Sequence, residues 1–215
     1  MELAIAGQNG QTTGTLAGAT MTEVERLEGE VEELQKKIAV LRREIPPEPI
    51  QDYELTSWSG EKVKISDAFG DKDELIVVHN MGKGCSYCTL WADSFVGITK
   101  HLEDRAAFVL TSPDDPETQR RFARDRGWNF RMLSTKGTAF KHDLGFEPEP
   151  KKYWPGVSVL RKDEAGNIYH TAKANFGPGD AYLGFWHLLD LLPTEKEWHP
   201  KYSYAESVKK DIAHS

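Results

Sequence analysis

LIVVHNMGKGCSYCTLWADSF, residues 75 to 95 of the 215-residue chain, carries the pattern from which the rest is read. Leu75-Ile76-Val77-Val78-His79 is a short continuous apolar run, the kind found in strands buried on both faces of a sheet. Trp91, Phe95, Ile98 and Leu102 recur at i, i+4, i+7 and i+11, so a helix follows Cys85-Ser86-Tyr87-Cys88 directly. The two cysteines therefore lie where a buried strand hands over to a helix N-terminus.

Toward the C-terminus, strands and helices alternate. Ala107 to Leu110 reads as a strand. Asp115 and Pro116 then form the N-cap and first residue of a helix that Gly127 closes. A strand around Asn129 to Leu133 and a short helix near Thr138 to Leu144 follow. Val157 to Leu160, an Asp163-Glu164-Ala165-Gly166 turn and Ile168 to Thr171 make a hairpin, and Tyr182, Phe185, Leu188, Leu189 and Leu192 a last helix that Pro193 stops. Toward the N-terminus the period is two: Tyr53 to Thr56 and Lys62 to Ile65 flank Ser57-Trp58-Ser59-Gly60 as another hairpin. This order calls for an α/β fold, a central mixed sheet flanked by helices. A Cys-x-x-Cys between a buried strand and its helix is the placement expected of a thioredoxin-like domain, here over residues 50–192 with a C-terminal extension at 193–215.

Ahead of that domain, residues 7 to 20 are nearly all Gly, Thr, Gln and Ala with little to bury, and 1–21 are expected to form a flexible leader. Thr22-Glu23-Val24-Glu25 has capping-box form and predicts a helix over 22–45. Val24, Leu27, Val31, Leu34, Ile38 and Leu41 give it an apolar seam of three heptads. The seam suits either a helix folded on its own domain or a coiled coil joining two copies. In a parallel pair Glu23 would face Glu28 and Lys37 would face Arg42, whereas reversing one helix sets the acidic half beside the basic half. Any homodimer through this helix is thus expected to be antiparallel.

Composition narrows the function. Lys+Arg 27 against Asp+Glu 34 gives a formal charge of −7, the wrong sign for neutralising phosphates, so nucleic acid and anionic membranes are not expected partners. No strictly apolar run exceeds five residues, far short of the ~20 that span a bilayer. The first basic residue is Arg26, so neither the n-region of a signal peptide nor a transit peptide is legible, and a cytoplasmic location is expected. Two cysteines are too few for a disulfide framework.

Thiol-disulfide exchange needs an accessible thiolate and a second thiol near enough to expel the substrate from the mixed disulfide. Cys85 at a helix N-terminus, where free amides favour its thiolate, and Cys88 one turn on meet both needs. Gly82 and Gly84 permit tight turns before the pair. Zinc is the competing use of such a pair. With no second cysteine pair it would have to recruit His79, His101 or His142, and of these His79 is the one that the spacing can bring near the sulfurs. Trp91 reads as core, and Asp93 as a tuning group or a solvated carboxylate. Trp154-Pro155-Gly156 reads as either a plain turn or a proline that presents backbone beside the pair.

Leu41-Arg42-Arg43-Glu44-Ile45-Pro46, Ile76 to Met81, Cys88-Thr89-Leu90-Trp91-Ala92-Asp93-Ser94-Phe95, Arg126-Gly127-Trp128, Pro155-Gly156-Val157-Ser158-Val159 and His187-Leu188-Leu189-Asp190-Leu191 together resemble the thioredoxin-like domain-of-unknown-function family 899. That family is distantly akin to peroxiredoxins and thioredoxins, and the resemblance runs from the Val24 helix to about Tyr202. It implies the fold and leaves the reaction open. Peroxiredoxins place Thr three residues before the peroxide-attacking Cys, whereas here Gly82 stands three before Cys85 and Cys85 three before Cys88. Compared with thioredoxin, Ser86-Tyr87 replaces Gly-Pro, and the expected cis-proline position falls on Val157 or Ser158. The expected activity is a dithiol-disulfide oxidoreductase, with Cys85 attacking a protein or small-molecule disulfide, Cys88 resolving, an external thiol reductant restoring the pair and no bound cofactor or metal. The alternatives are a thiol peroxidase and a non-catalytic interaction or redox-sensing module.

Overall fold

The computed structural model describes residues 12–194 and 196–201, with side chains from residue 18 onward. The chain divides after Ile45 into two compact units. In the first, Leu, Ala, Glu, Lys and Arg, all strong helix formers, continue without a proline until Pro46. They form one helix, α1 (Thr12–Glu44), 33 residues and about 50 Å long. It starts ahead of the expected cap: Thr22 Oγ1 donates to the Gly18 carbonyl at 3.0 Å, the back-bond of a helix interior. Residues 12–21, expected in a flexible leader, are therefore helical, and residues 1–11 lie outside the described residues. The six seam residues are all exposed, from 42% at Val24 to 61% at Leu41. Arg26 pairs with Glu23 and Glu30, and Lys36 with Glu32 and Glu33, along the same helix.

The second unit runs β1 (Glu48–Ile50), β2 (Glu54–Ser57), β3 (Lys62–Lys64), α2 (Ile65–Ala68), β4 (Glu74–His79), α3 (Ser86–Phe95), α4 (Thr99–Arg105), β5 (Ala107–Ser112), α5 (Pro116–Arg126), β6 (Met132–Ser134), α6 (Phe140–Asp143), β7 (Gly156–Lys162), β8 (Ile168–Asn175) and α7 (Phe185–Asp190). The strands join in one sheet of order β1-β8-β7-β4-β5-β6-β2-β3. β4, β5 and β6 are mutually parallel, β7 is antiparallel to β4, and β8 to β7. A parallel β4-α3-β5 unit beside an antiparallel β7-β8 hairpin followed by α7, in the order β5-β4-β7-β8, is the thioredoxin-like arrangement. The expected fold class is thus observed.

Alternate residues of β4 feed two cores. Leu75 and Val77 join Leu55, Phe69, Val109, Phe140 and Leu160 on one face. Ile76 and Val78 join Trp91, Phe95, Phe108, Phe130 and Trp186 on the other. Burial on both faces is what the continuous apolar run requires, each such side chain contributing about 1.5–3 kcal/mol. The start of β7 needs glycine, since a Cβ on Gly156 would lie 2.4 Å from both the Ala174 carbonyl and Phe146.

Both hairpins form as expected, Leu55 opposite Val63 and Leu160 near His170. Asp115 caps α5 by accepting from the Thr118 amide at 2.9 Å, and Gly127 ends it at φ 68°. Three elements differ. The helix after the cysteines does not run on to Leu102: it turns at Val96-Gly97-Ile98, where the Val96 and Ile98 amides bond three residues back and Thr99 Oγ1 caps the Phe95 carbonyl at 2.6 Å. Ile98 is left 45% exposed. The last helix is confined to α7, so Tyr182 and Leu192 lie outside it, and its buried side chain is Trp186, whereas Leu188 faces outward. β1, an edge strand containing Pro49 and paired with β8, has no alternating pattern to announce it.

Candidate active site at the cysteine pair

Where β4 ends, the chain must turn into α3, and Asn80 organises that turn. Its amide bonds the Thr111 carbonyl on β5, its Oδ1 accepts from Gly82 N at 2.7 Å, and its Nδ2 reaches the Cys88 carbonyl at 3.4 Å. Gly82 takes φ 105°, and a Cβ there would meet the Asp114 carboxylate at 3.3 Å, so this glycine is required twice over. Gly84 uses no such conformation.

Cys85 is the N-cap of α3. Its sulfur accepts from the Cys88 amide at 3.1 Å, in the place a Ser or Asp oxygen usually takes. A hydrogen bond from the Cys88 thiol, aided by the Cys88 and Tyr87 amides, holds the Cys85 thiol below its usual pKa against the opposing effect of burial. Cys88 is 3% exposed, and burial first, then the neighbouring Cys85, pushes its thiol well up. The one group bonded to its sulfur in the other sense is the Met81 amide, at 3.4 Å. Both cysteines are free thiols.

Beneath the pair, Cys88, His79, Asn80, Trp91, Pro155 and Phe176 close around a pocket with no room for a water molecule. The spacing argument for His79 thus holds to this extent: it shares the pocket with Cys88. It is fully buried, hydrogen-bonded through Nε2 to Ser158 Oγ at 3.0 Å and stacked on Phe146 at 3.9 Å. Burial drives its pKa well below the usual value, so the imidazole is neutral. Pro155 lies beside the pair, as one reading of Trp154-Pro155-Gly156 allows, but no peptide bond among the described residues is cis. His142 is bound instead to the Glu147 carbonyl at 2.9 Å, and no three His, Cys, Asp or Glu side chains among the described residues gather to hold a metal.

Trp91 is core, as expected, at 2% exposure. Asp93 is neither a tuning group nor merely solvated. It takes two bonds from the Arg126 guanidinium and one from Trp128 Nε1 at 2.9 Å, clamping α3 to the end of α5. The mouth of the site is aromatic. Tyr87, next to Cys88, lies 6.2 Å from Trp186 and bonds His199 Nδ1 at 2.6 Å. The Trp198 ring lies tilted against Phe185 at 4.8 Å, so residues 196–201, expected in an extension, contact both α3 and α7. Asn80, Asp114 and Lys141 carry no functional signal in the sequence, whereas Ser158, one of the two residues at the expected cis-proline position, holds His79 Nε2 at 3.0 Å. Each is a polar residue in an ordinary local pattern, and only the fold brings Asn80 to the Cys88 carbonyl, Asp114 to Gly82 and Ser158 to His79.

The model for the family described as "Bacterial protein of unknown function (DUF899)" matches residues 19–211. The chain belongs to the DUF899 family. This DUF899 protein matched none of the curated proteins searched. Among solved structures it is similar to the peroxidoxin BcpB from Mycobacterium tuberculosis, at 18% identity over 78% of this chain and 93% of that one, with a TM-score of 0.48. It is also similar to a peroxiredoxin-like protein from Aquifex aeolicus, at 15% identity over 60% and 74%, TM-score 0.48. A putative protein disulfide isomerase from Bacteroides thetaiotaomicron matches at 16% identity over 60% and 77%, TM-score 0.44. The strand order described above carries the fold of this DUF899 protein. No helix among the described residues is long and apolar enough to cross a membrane.

Proposed function

We propose that this protein is a dithiol-disulfide oxidoreductase acting in a reducing compartment such as the cytoplasm. The observation that carries the reading is the asymmetry of the pair. Cys85 sits at a helix N-terminus with three donors favouring its thiolate, and Cys88 is buried and held as the thiol. In this reading Cys85 Sγ attacks a substrate disulfide, releasing one thiolate and forming a mixed disulfide. Cys88 then attacks Cys85 Sγ, forming the intramolecular disulfide and releasing the second thiolate. An external thiol reductant returns the pair to two thiols. The aromatic mouth formed by Tyr87, Trp186 and Trp198 suits a protein disulfide flanked by apolar residues. A thiol peroxidase is less well supported, because Gly82 supplies no side-chain donor to a peroxide three residues ahead of Cys85.

The exposed seam of α1 supports a second copy of the chain as a partner, paired antiparallel through complementary acidic and basic halves. Turnover tests the main reading. With excess thiol reductant the protein should reduce many equivalents of a protein disulfide, and a non-catalytic module would reduce none beyond the uncatalysed background.

A further inference from the structure

Between the end of β4 and Cys85 the chain has only the turn at residues 80–84 in which to aim the sulfur. Asn80 holds that turn through the Gly82 amide, and the Cys85 amide closes it on the Gly82 carbonyl at 3.1 Å. A third group reaches the same residue from the loop after β5. A Cβ on Gly82 would lie 3.3 Å from Asp114 Oδ1, 3.4 Å from Oδ2 and 3.4 Å from Pro113 Cγ. Gly82 thus meets Asn80 through its amide, Cys85 through its carbonyl and the Asp114 carboxylate across the space a side chain would fill.

That carboxylate is held in place by a buried polar scaffold. Ser112 Oγ donates to Asp114 Oδ2 at 3.1 Å, and it accepts from the Asp114 amide at 3.1 Å and from Gln119 Nε2 at 3.0 Å, which uses the whole capacity of a hydroxyl. The Asp114 carbonyl accepts from Ser134 Oγ at 2.6 Å and from Gln119 Nε2 at 3.4 Å. Ser112, Gln119 and Ser134 are at most 1% exposed. A satisfied polar network of this kind rigidifies one geometry. Most of its bonds go to the main chain of Asp114, so the loop is fixed without the carboxylate, and what the carboxylate adds is the contact with Gly82.

Building on the dithiol reading above, we propose that Asp114 is a positioning residue for Cys85: by holding Gly82 it fixes the turn that sets the Cys85 sulfur on the Cys88 amide. Asp114 touches no reacting atom in this account and acts through Gly82 alone. The bond it protects is the one from the Cys88 amide to Cys85 Sγ at 3.1 Å. Such a bond weakens steeply as its angle opens, and a donor lost from a thiolate raises the thiol pKa. A turn free to shift would therefore leave Cys85 less ionised at neutral pH and slower to attack. A carboxylate acting by its charge would do the reverse, since a negative group beside a thiol opposes its ionisation. Position and charge thus predict opposite signs when Asp114 is removed.

Alkylation of the reduced, full-length protein with iodoacetamide across a range of pH tests this, because the rate follows the Cys85 thiolate. Asp114→Ala keeps the main-chain bonds to Ser112, Gln119 and Ser134, so its loop retains its support. Its midpoint should rise by about one pH unit, which slows alkylation about tenfold below the midpoint, while the plateau at high pH stays within about twofold. Asp114→Ser, which also withdraws the carboxylate, should behave alike. Asp114→Asn keeps an oxygen that can accept from Ser112, and it should bring the midpoint back to within about 0.3 unit of the unmutated protein. A midpoint that falls in these variants, or that rises as far in Asp114→Asn as in Asp114→Ala, would assign the effect to charge and overturn the proposal. A midpoint unmoved in Asp114→Ala and Asp114→Ser, whatever stability they lose, would overturn it too. Each of these results leaves the dithiol reading standing. That reading fails separately, and the proposal with it, if the unmutated protein turns over no protein disulfide with excess reductant.

Discussion

The Cys88 amide points at the Cys85 sulfur from 3.1 Å, so the residue assigned to end the exchange also prepares its start. The direct consequence is a difference in reactivity between the two thiols. Alkylation of the reduced protein should modify Cys85 first, with a midpoint below the free-cysteine value of ~8.5. Cys88 should react only when the protein is unfolded. Peptide mapping after timed alkylation checks both.

Lys141 gives the fold a pH dependence of definite sign. Its folded-state pKa of about 7 lies below the ordinary 10.5, because burial disfavours the ammonium. Between those values the unfolded chain binds a proton that the folded chain does not, so this contribution to stability rises with pH across the window and is lowest below it. Lys141→Met should therefore be more stable than the unmutated protein near pH ~6, by roughly 1–4 kcal/mol. The difference should shrink toward pH ~10. Urea unfolding at several pH values measures it.

Asp93 holds Arg126 and Trp128 Nε1 together, and its removal leaves a largely buried guanidinium without its partner. Asp93→Ala should cost about 1–3 kcal/mol, since Asp93 itself is partly exposed and water compensates some of the loss. The rate of Cys85 alkylation should stay within about twofold, because the clamp lies at the far end of α3 from Cys85.

If α1 joins two copies, Leu27→Glu with Leu34→Glu should halve the sedimenting mass without changing the reactivity of Cys85. The antiparallel arrangement makes a second demand. In a chain with both native cysteines replaced by serine, Glu25→Cys should fail to crosslink to its own copy, because the partner presents its basic half there. Exposed pairs contribute only ~0.2–1 kcal/mol each, so the preference should weaken at high salt.

How much of this was legible in sequence follows from the range of the interactions. β4, the Cys-x-x-Cys and the start of α3 were readable because period, length and motif coincide within twenty-one residues. Asp115-Pro116 and Gly127 were readable because caps are local chemistry. The turn at Val96-Gly97-Ile98 was not, because Ile98 and Leu102 continue the helical spacing across it. The inward face of α7 was hidden in a segment whose leucines outnumber its tryptophan, and only packing against Trp91 picks out Trp186. The start of α1 was missed because Thr22 has the residues of a cap in the middle of a helix. Lys141 carried no signal, since Phe140, Phe146 and His79, far apart in sequence, pack together only in the folded protein.

The central claim, that Cys85 attacks and Cys88 resolves, is tested most directly by trapping. Reduced Cys88→Ser and Cys85→Ser proteins would each be mixed with a disulfide-bonded protein substrate and weighed intact by mass spectrometry. The account predicts that Cys88→Ser accumulates a stable mixed disulfide, since nothing remains to expel the substrate, and that Cys85→Ser forms none. Accumulation with Cys85→Ser alone would reverse the roles, and accumulation with neither would contradict thiol exchange at this pair.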